Sequence, residues 1–325
     1  MLDFFVNRYK SIHKRYHHWL YGNCAVLLYH RVTNYSTDPQ LLCVSPDNFD
    51  KQLKLVKQKY NCISIEELTD YLTSGKKIPR KSIAITFDDG YADNYLYGLP
   101  LLEKNNTQAL FYISTGLLNT NTEYWWDAIE RIVLLSKTSP VKNEFILKGT
   151  KYNLNEIVLK RRLFYERLLA ELRTMISSER EEKIAELAHI FSAQTHRQTH
   201  RSLSFEELKA LHQSDCAVIG AHTHMHPSLA ALSYEEQYNE IVTSKTILET
   251  ILEEPIFHFS YPFGSNRDFN SDTVAVCKKL NFTTVAANYP GMVNKHSNKY
   301  YFPRFLVRDW DIETFERNLN IFFAQ

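Results

Sequence analysis

The 325-residue sequence predicts an α/β fold in which about seven parallel strands alternate with helices, as a βα barrel or an open parallel sheet. Three observations support this: recurring apolar runs of strand length, helical patterns after most of these runs, and helix starts marked by serine. The runs are continuously apolar, as in parallel strands buried on both faces. They are Cys24–Tyr29, Ser82–Phe87, Gln108–Ile113, Ala217–Ala221, Ile256–Tyr261, Thr283–Ala287 and Phe302–Val307.

Several helices between these runs begin at recognisable capping residues. A serine followed three residues later by glutamate has the spacing of a capping box, in which each side chain bonds the backbone N–H of the other residue. Pro46 behind Ser45 fits a first-turn proline that follows a serine cap. Capping boxes are predicted for the pairs Ser64 and Glu67, Ser204 and Glu207, and Ser233 and Glu236.

The alternation of strands and helices breaks between residue 117 and about residue 200. This stretch is rich in Leu, Glu, Arg and Lys, and Leu163–Met175 and Arg180–Ile190 have the pattern of amphipathic helices. We predict a helical insertion at about 117–200 within one catalytic domain at residues 21–325, preceded by an N-terminal helix at residues 1–20.

Composition and missing motifs exclude several classes of function. A formal net charge of +1 gives no reason to expect nucleic acid as a partner. The sequence has no GxGxxG, P-loop, HExxH or GxSxG motif, which argues against nucleotide enzymes, zincins and serine esterases. No cofactor-binding nucleotide motif is predicted, and the sequence does not indicate an oligomeric state.

The first twenty residues mix aromatic and basic side chains, which leaves two alternatives for a helix there. It lies on an anionic membrane surface, or it packs on the domain with its cations in solvent. The N-terminus lacks the apolar centre of a signal peptide, and the five cysteines are odd in number without a CxxC pair. We therefore expect a cytoplasmic protein. If the N-terminal helix lies on a membrane, the protein would contact the inner membrane peripherally.

Two adjacent carboxylates follow the second apolar run. Asp88 and Asp89 lie in the segment Thr86–Tyr91, at the carboxyl end of a predicted parallel strand, where active sites of such folds are built. One carboxylate can bind a cation while its neighbour stays free as a base. The alternative is an ordinary Asp-Gly turn.

Three histidines follow the fourth apolar run within five residues. Imidazole is the commonest metal-binding side chain, and catalytic zinc sites use three protein ligands. His222 and His226 have a spacing that lets a turn bring both rings to one ion, whereas His224 is either a third ligand or points away. Two histidines and one aspartate would form an open metal site suited to hydrolysis. The alternative is a polar loop of surface histidines.

Together these segments resemble the polysaccharide deacetylase family, the NodB-homology carbohydrate esterases, whose members deacetylate chitin, peptidoglycan and exopolysaccharides. The resemblance covers about residues 24–310 and implies a distorted (β/α) barrel with about seven strands. The matching pieces are Leu28–Val32, Thr86–Tyr91, Tyr124–Asp127, His222–His226, Tyr261–Gly264 and Phe302–Arg304.

The resemblance also implies roles for single residues. Asp89, His222 and His226 would ligate a divalent metal, zinc first, although cobalt, nickel or manganese fits similar ligands. Asp88 would be the general base. Thr223 would orient the histidine loop.

On the substrate side, the backbone N–H of Phe263 would help to hold the oxyanion, beside Tyr261 of the same motif. Trp126 would either stack on a sugar or anchor the insertion.

The sequence departs from the family pattern in two places. Many members carry an arginine just before the motif at Tyr261–Gly264, and none is present here. Arg304 either supplies that charge from another strand or makes a structural ion pair elsewhere. A late Leu-x-His motif is also missing, and His30 after the first strand is the candidate general acid, with a hydrogen-bonded structural histidine as the alternative.

The expected function is removal of N-acetyl groups from an amino sugar in a polysaccharide or lipid-linked glycan by a metal-dependent hydrolase. The substrate partner is accordingly an N-acetylated glycan or sugar lipid. Two alternatives remain: a catalytically inactive relative that binds glycan, and a deacylase of an O-acetyl ester or a formylated sugar lipid.

Overall fold

The computed structural model describes residues 22–157, 159–193 and 196–324 and contains one large parallel sheet with two small strand pairs. Its strands are β1 (Cys24–Tyr29), β2 (Arg31–Val32), β3 (Cys43–Val44), β4 (Asn61–Cys62), β5 (Ser82–Phe87), β6 (Ala109–Ile113), β7 (Glu144–Leu147), β8 (Thr150–Asn153), β9 (Ala217–Ala221), β10 (His258–Ser260), β11 (Thr284–Ala286) and β12 (Phe305–Leu306).

The large sheet runs in the order β11-β10-β9-β6-β5-β1-β12, and β4 pairs with the start of β5. All of these strand pairs are parallel. A parallel bridge joins Ala286 of β11 to Phe302, just ahead of β12, so the two ends of the row approach each other. The predicted distorted (β/α) barrel of about seven strands is confirmed.

The apolar runs predicted the strands because every residue of β1, β5 and β6 is buried. Strands β1, β5 and β9 have the predicted bounds, whereas β10, β11 and β12 are only two or three residues long. Backbone pairing nevertheless extends past the end of β10, where the N–H of Tyr261 bonds the carbonyl of Ala286 in β11.

Helices cover the outside of the barrel, and the predicted caps are present. Ser64, Ser204 and Ser233 each form a capping box, and Ser45 caps the first helix with Pro46 in its first turn. The helices are α1 (Pro46–Lys59), α2 (Ile65–Ser74), α3 (Leu99–Lys104), α4 (Trp125–Ile129), α5 (Leu154–Ile157), α6 (Arg161–Leu172), α7 (Ser177–Ile190), α8 (Phe205–His212), α9 (Tyr234–Leu252), α10 (Ser271–Lys279) and α11 (Ile312–Ala324).

The segment between β6 and α8 contains helices α4 to α7 and a second hydrophobic core, in which Leu168, Leu187 and Ile190 are fully buried. It also contains the β7–β8 hairpin, which the sequence analysis did not predict. Lys148 and Gly149 both have positive φ, of 48° and 78°, as a tight hairpin turn requires. The Lys-Gly pair was the available signal, but four-residue strands with exposed alternate positions are a weak pattern.

The N-terminal helix predicted for residues 1–20 lies outside the described residues. The division of the chain into that helix and one catalytic domain stays a prediction. Among the helices that the structure does describe, none is both long and apolar enough to span a membrane.

Candidate active site

A cleft of about 390 Å³ opens at the carboxyl ends of the barrel strands. This is the face on which parallel barrels carry their functional loops. Most of the residues predicted for the site line this one cleft: His30, Asp88, Asp89, Trp126, His222, His226 and Phe263. Three further lining residues used below are Gln40, Arg173 and Arg308.

Three buried donor groups converge at the base of the cleft. Asp89 Oδ1 lies 3.3 Å from His226 Nε2 and 3.6 Å from His222 Nε2. His222 Nδ1 lies 2.8 Å from the carbonyl oxygen of Ser260, which can only accept, so Nδ1 carries the proton and the Nε2 lone pair is left for a cation beside Asp89.

This donor set fits a divalent cation. One carboxylate and two imidazoles are typical ligands of an open catalytic site, and the ring fixed by Ser260 has the second contact that such ligands usually make. Burial by itself would raise the pKa of Asp89, but the adjacent His222 and His226 rings outweigh it, so its pKa lies far below the usual range. Asp89 is therefore a carboxylate at neutral pH.

The backbone around these donors is strained. Asp89, Thr223, His226 and Phe263 have φ values of 75°, 65°, 51° and 58°, in the left-handed region that residues other than glycine rarely adopt. The Asp89 turn is fixed because its carbonyl accepts hydrogen bonds from the Tyr124 hydroxyl, at 2.6 Å, and from a backbone N–H. Clustering of such residues is typical of functional sites.

Thr223 and His224 complete the histidine loop in different ways. The Thr223 hydroxyl accepts a hydrogen bond from the backbone N–H of His226 at 3.1 Å, which closes the loop that carries both donor histidines. His224 instead directs Nδ1 to the hydroxyl of Thr115, at 3.0 Å, and is not part of the donor cluster. Of the two alternatives for His224, the structure has the ring pointing away.

Arg304 holds the neighbouring carboxylate, that of Asp88. Its Nη1 and Nη2 donate to Oδ1 and Oδ2 at 2.6 and 2.7 Å, a bidentate pair in which the arginine is almost completely buried. Burial by itself would raise the pKa of Asp88, but the Arg304 guanidinium outweighs it and the pKa lies below its usual value. The structure thus brings Arg304 to the predicted base.

Ser260 is a site residue that the sequence analysis missed. Its hydroxyl accepts from Arg304 at 2.8 Å and donates to Asp88 Oδ2 at 3.3 Å, while its carbonyl fixes the ring of His222. It therefore connects the base to a donor histidine. The available signal was a polar residue at the end of a predicted strand, next to the motif that begins at Tyr261.

His30 and Phe263 both line the cleft. His30 Nδ1 is enclosed without a hydrogen-bond partner among the described residues, and burial lowers the pKa of the ring more than the nearby Asp89 and Asp88 raise it. The backbone N–H of Phe263 donates no hydrogen bond within the described ranges, so it is available to a ligand.

The structure distinguishes Trp126 from Tyr261. Trp126 lines the cleft, with its ring 4.7 Å from that of His226, and its Nε1 also donates to the Tyr91 hydroxyl at 2.7 Å. Tyr261 does not reach the cleft, which corrects the prediction that it lies beside the substrate. Its ring stacks on Phe269 and its hydroxyl bonds a backbone carbonyl, because its side chain points into the barrel core.

Comparison with known proteins identifies the family. The sequence pattern described as polysaccharide deacetylase matches residues 75–134 and 181–285, about half of the chain. The chain belongs to the polysaccharide deacetylase family. The matched ranges include Asp88, Asp89, His222 and His226. The polysaccharide deacetylase is accordingly a hydrolase that acts on amide bonds of acetylated polysaccharide.

Individual relatives are distant. YxkH of Bacillus subtilis, whose own assignment as a polysaccharide deacetylase is provisional, is 21% identical over 284 residues, 87% of this chain and 70% of that protein. The poly-β-1,6-N-acetyl-D-glucosamine N-deacetylase of Escherichia coli K12 is 26% identical over 86 residues, 26% of this chain and 13% of the enzyme. The structure of the Streptococcus pyogenes deacetylase PplD has a TM-score of 0.60 at 18% identity, covering 91% of this chain and 98% of PplD, and supports the fold.

Proposed function

We propose that this polysaccharide deacetylase removes N-acetyl groups from an amino sugar of a polysaccharide or lipid-linked glycan, with a divalent cation held by Asp89, His222 and His226. The observation that carries the proposal is the convergence of these three donors beside Asp88, which Arg304 fixes. The N-acetyl substrate is supported by the partial similarity to the E. coli N-deacetylase.

The proposed cation is zinc, because two imidazoles and one carboxylate suit it, while cobalt, nickel and manganese suit similar ligands. When bound, such a cation polarises an acyl carbonyl and makes a coordinated water easier to deprotonate.

In the proposed mechanism, the chain's own residues move protons and orient the substrate. Asp88, ionised and oriented by Arg304, takes the proton of the attacking water. The free N–H of Phe263 donates to the oxygen that becomes negatively charged as water adds to the acyl carbon. Trp126 offers a flat apolar wall to a sugar face.

His30 is the proposed donor of the proton to the departing amine. Because burial lowers its pKa, the ring rests neutral, and it can act as an acid only when the substrate-loaded cleft favours its protonated form. Its position in the cleft wall supports the assignment. The alternative, a structural histidine, would predict that His30→Gln leaves acetate release unchanged.

Metal content tests the proposal directly. We expect the purified protein to bind about one divalent ion per chain, and the double variant His222→Ala/His226→Ala to bind none. The wild type should release acetate from N-acetylglucosamine oligosaccharides. Metal binding without release of any acyl product would instead favour the glycan-binding relative, and absence of metal from both proteins would contradict the proposal.

Asp88→Asn separates the base from the metal donors. We expect acetate release to fall about 10²- to 10⁴-fold, the usual contribution of a general base, while metal content stays at the wild-type value. Turnover at the wild-type rate in Asp88→Asn would show that the mechanism is wrong.

Location remains a separate proposal. We propose a cytoplasmic protein whose first twenty residues contact the inner membrane surface, on the basis of their aromatic and basic composition. Deleting residues 1–20 should release the protein from sedimented membranes, and a truncated protein that still sediments would contradict membrane contact through this segment.

A further inference from the structure

Arg308 is a charged residue of the cleft wall for which no described residue supplies an ion-pair partner. The carboxylates of the cleft belong to the catalytic centre, where Asp88 is paired with Arg304. Arg173, on another part of the wall, is paired with the buried Asp268. Arg308, just after β12, makes no ion pair with any carboxylate among the residues that the structure describes.

The half-buried Arg308 side chain is held in place by backbone atoms. Its Nη1 donates to the carbonyl oxygens of Gln40, at 2.9 Å, and of Leu41. Its Nε and Nη2 donate no hydrogen bond within the described ranges. Asp38 is the acidic residue that acts on it electrostatically, but the Asp38 carboxylate accepts the backbone N–H groups of Leu42 and Cys43 instead.

A half-buried guanidinium without an ion pair among the described residues is energetically unfavourable unless a ligand supplies the counter-charge. Partial removal of a cation from water is unfavourable without a counter-charge, and burial accordingly lowers the pKa of Arg308. A guanidinium fixed along one edge presents its other N–H groups as a fork that fits the two oxygens of a carboxylate or phosphate. A neutral N-acetylated sugar offers only hydroxyl and amide groups.

We propose that the glycan substrate carries an anionic oxoacid group, a carboxylate or a phosphate, and that Arg308 binds it. This inference rests on the proposed function, because it places the anion beside the sugar that is deacetylated. Arg308 and His30 line the same cleft of about 390 Å³, which has room for a few sugar units at most. The anionic group is therefore on the acylated sugar or on a neighbouring one.

Binding measurements with three probes test the inference. Calorimetry would compare N-acetylglucosamine 1-phosphate, a disaccharide of glucuronate and N-acetylglucosamine, and neutral N,N′-diacetylchitobiose on the full-length, metal-loaded protein. We expect at least one anionic probe to bind about tenfold or more tightly than the neutral probe, and to lose that advantage in Arg308→Gln. The anionic probe that depends on Arg308 identifies the group as phosphate or carboxylate.

Three controls keep the test informative. Arg317→Gln, on the exposed side of α11 and outside the cleft, should leave every affinity unchanged. Arg308→Lys retains the cation without the fork and should fall between wild type and Arg308→Gln. If Arg308→Gln does not fold, added salt should weaken binding of the anionic probe to the wild type far more than binding of the neutral probe.

The outcomes separate this inference from the proposed function. Equal affinities for all three probes would overturn it, even if acetate is released. So would an anionic preference that persists in Arg308→Gln or, if that variant does not fold, one that is insensitive to salt. Anion binding that depends on Arg308, without acetate release from any acetylated glycan, would support the binding site and contradict the proposed deacetylation.

Discussion

At the scale of single residues, Asp88 depends on a partner that is far away in the sequence. Arg304 lies 216 positions later and still makes both hydrogen bonds of a bidentate pair with it. The same guanidinium donates to Ser260 and to the carbonyl of Ala287, so its orientation is fixed from several strands. We infer that Arg304 is a positioning residue, because it contacts the base rather than the cleft.

Substituting Arg304 with lysine should reduce turnover while the protein stays folded. Lysine keeps the positive charge but cannot donate two parallel hydrogen bonds, so Asp88 would be less well oriented. We expect kcat for acetate release to fall about tenfold or more with KM nearly unchanged. An equal change in Arg31→Lys, which disrupts the buried pair with Asp93, would indicate a general structural effect instead.

Asp127 gives a prediction for pH dependence. Burial raises its pKa to about 7, and its carboxyl group accepts a hydrogen bond from the Tyr91 hydroxyl at 2.6 Å. Because the folded protein keeps this proton to a higher pH than the unfolded chain does, the stabilising contribution is complete below about pH 4 and is lost as the pH rises to about 7.

Urea unfolding of wild type and Asp127→Asn at about pH 5 and about pH 8 measures this effect. The free energy of unfolding of wild type, relative to Asp127→Asn, should fall by about 2 to 3 kcal/mol over that range. Asp215→Asn, a substitution of the same kind at an exposed position, is the matched control. A wild type that gains stability relative to Asp127→Asn at the higher pH would contradict the raised pKa.

At the scale of elements, helix α9 supports the loop that carries the donor histidines. The capping box of α9 joins Ser233 and Glu236, with Glu236 Oε2 accepting the Ser233 backbone N–H at 2.8 Å. This nineteen-residue helix follows the histidine loop, and its Glu240 accepts the backbone N–H groups of His224 and Met225. The position of α9 therefore supports the loop that carries the donor histidines.

Ser233→Ala should lower the free energy of unfolding by about 1 kcal/mol, since it removes the cap of this helix. Thr250→Ala is the matched control, because it removes an exposed hydroxyl from the interior of the same helix and alanine is the better helix former. Chemical denaturation of both variants would measure the difference. A Ser233→Ala variant as stable as Thr250→Ala would show that the cap contributes nothing.

At the scale of the whole molecule, helices α4 to α7 enclose a hydrophobic core separate from the core that the barrel shares with its outer helices, and the two parts meet at the cleft. Trp126 belongs to the second core, and its ring contacts His226 of the donor cluster. Arg173, which follows α6, pairs with Asp268 on the barrel side and lies over the ring of Phe263. We expect the two cores to unfold together.

Leu168→Ala in the second core tests this coupling. Because Leu168 is fully buried, its truncation should lower the free energy of unfolding by about 2 to 5 kcal/mol. Far-ultraviolet circular dichroism and tryptophan fluorescence should change in one shared transition. Leu159→Ala, at a position that is 86% exposed, should change stability by less than about 0.5 kcal/mol. Two separate transitions would mean that the second core unfolds independently.

The sequence by itself determined the features that depend on local interactions. Continuous apolar runs gave the bounds of β1, β5 and β9, and serine–glutamate spacing gave the caps, because burial and capping act on neighbouring residues. The order of strands and motifs also predicted that Asp89 and His226 would meet, since carboxyl ends of parallel strands share one face.

Only the tertiary structure decided the contacts between distant segments. It paired Arg304 with Asp88, turned Tyr261 into the core and placed Arg308 in the cleft without an ion pair to any residue of the described ranges. The hairpin at Lys148 was also absent from the prediction. These outcomes depend on how the sheet curves and which side chains its closure brings together, and no local pattern records the distance between residues that lie more than two hundred positions apart.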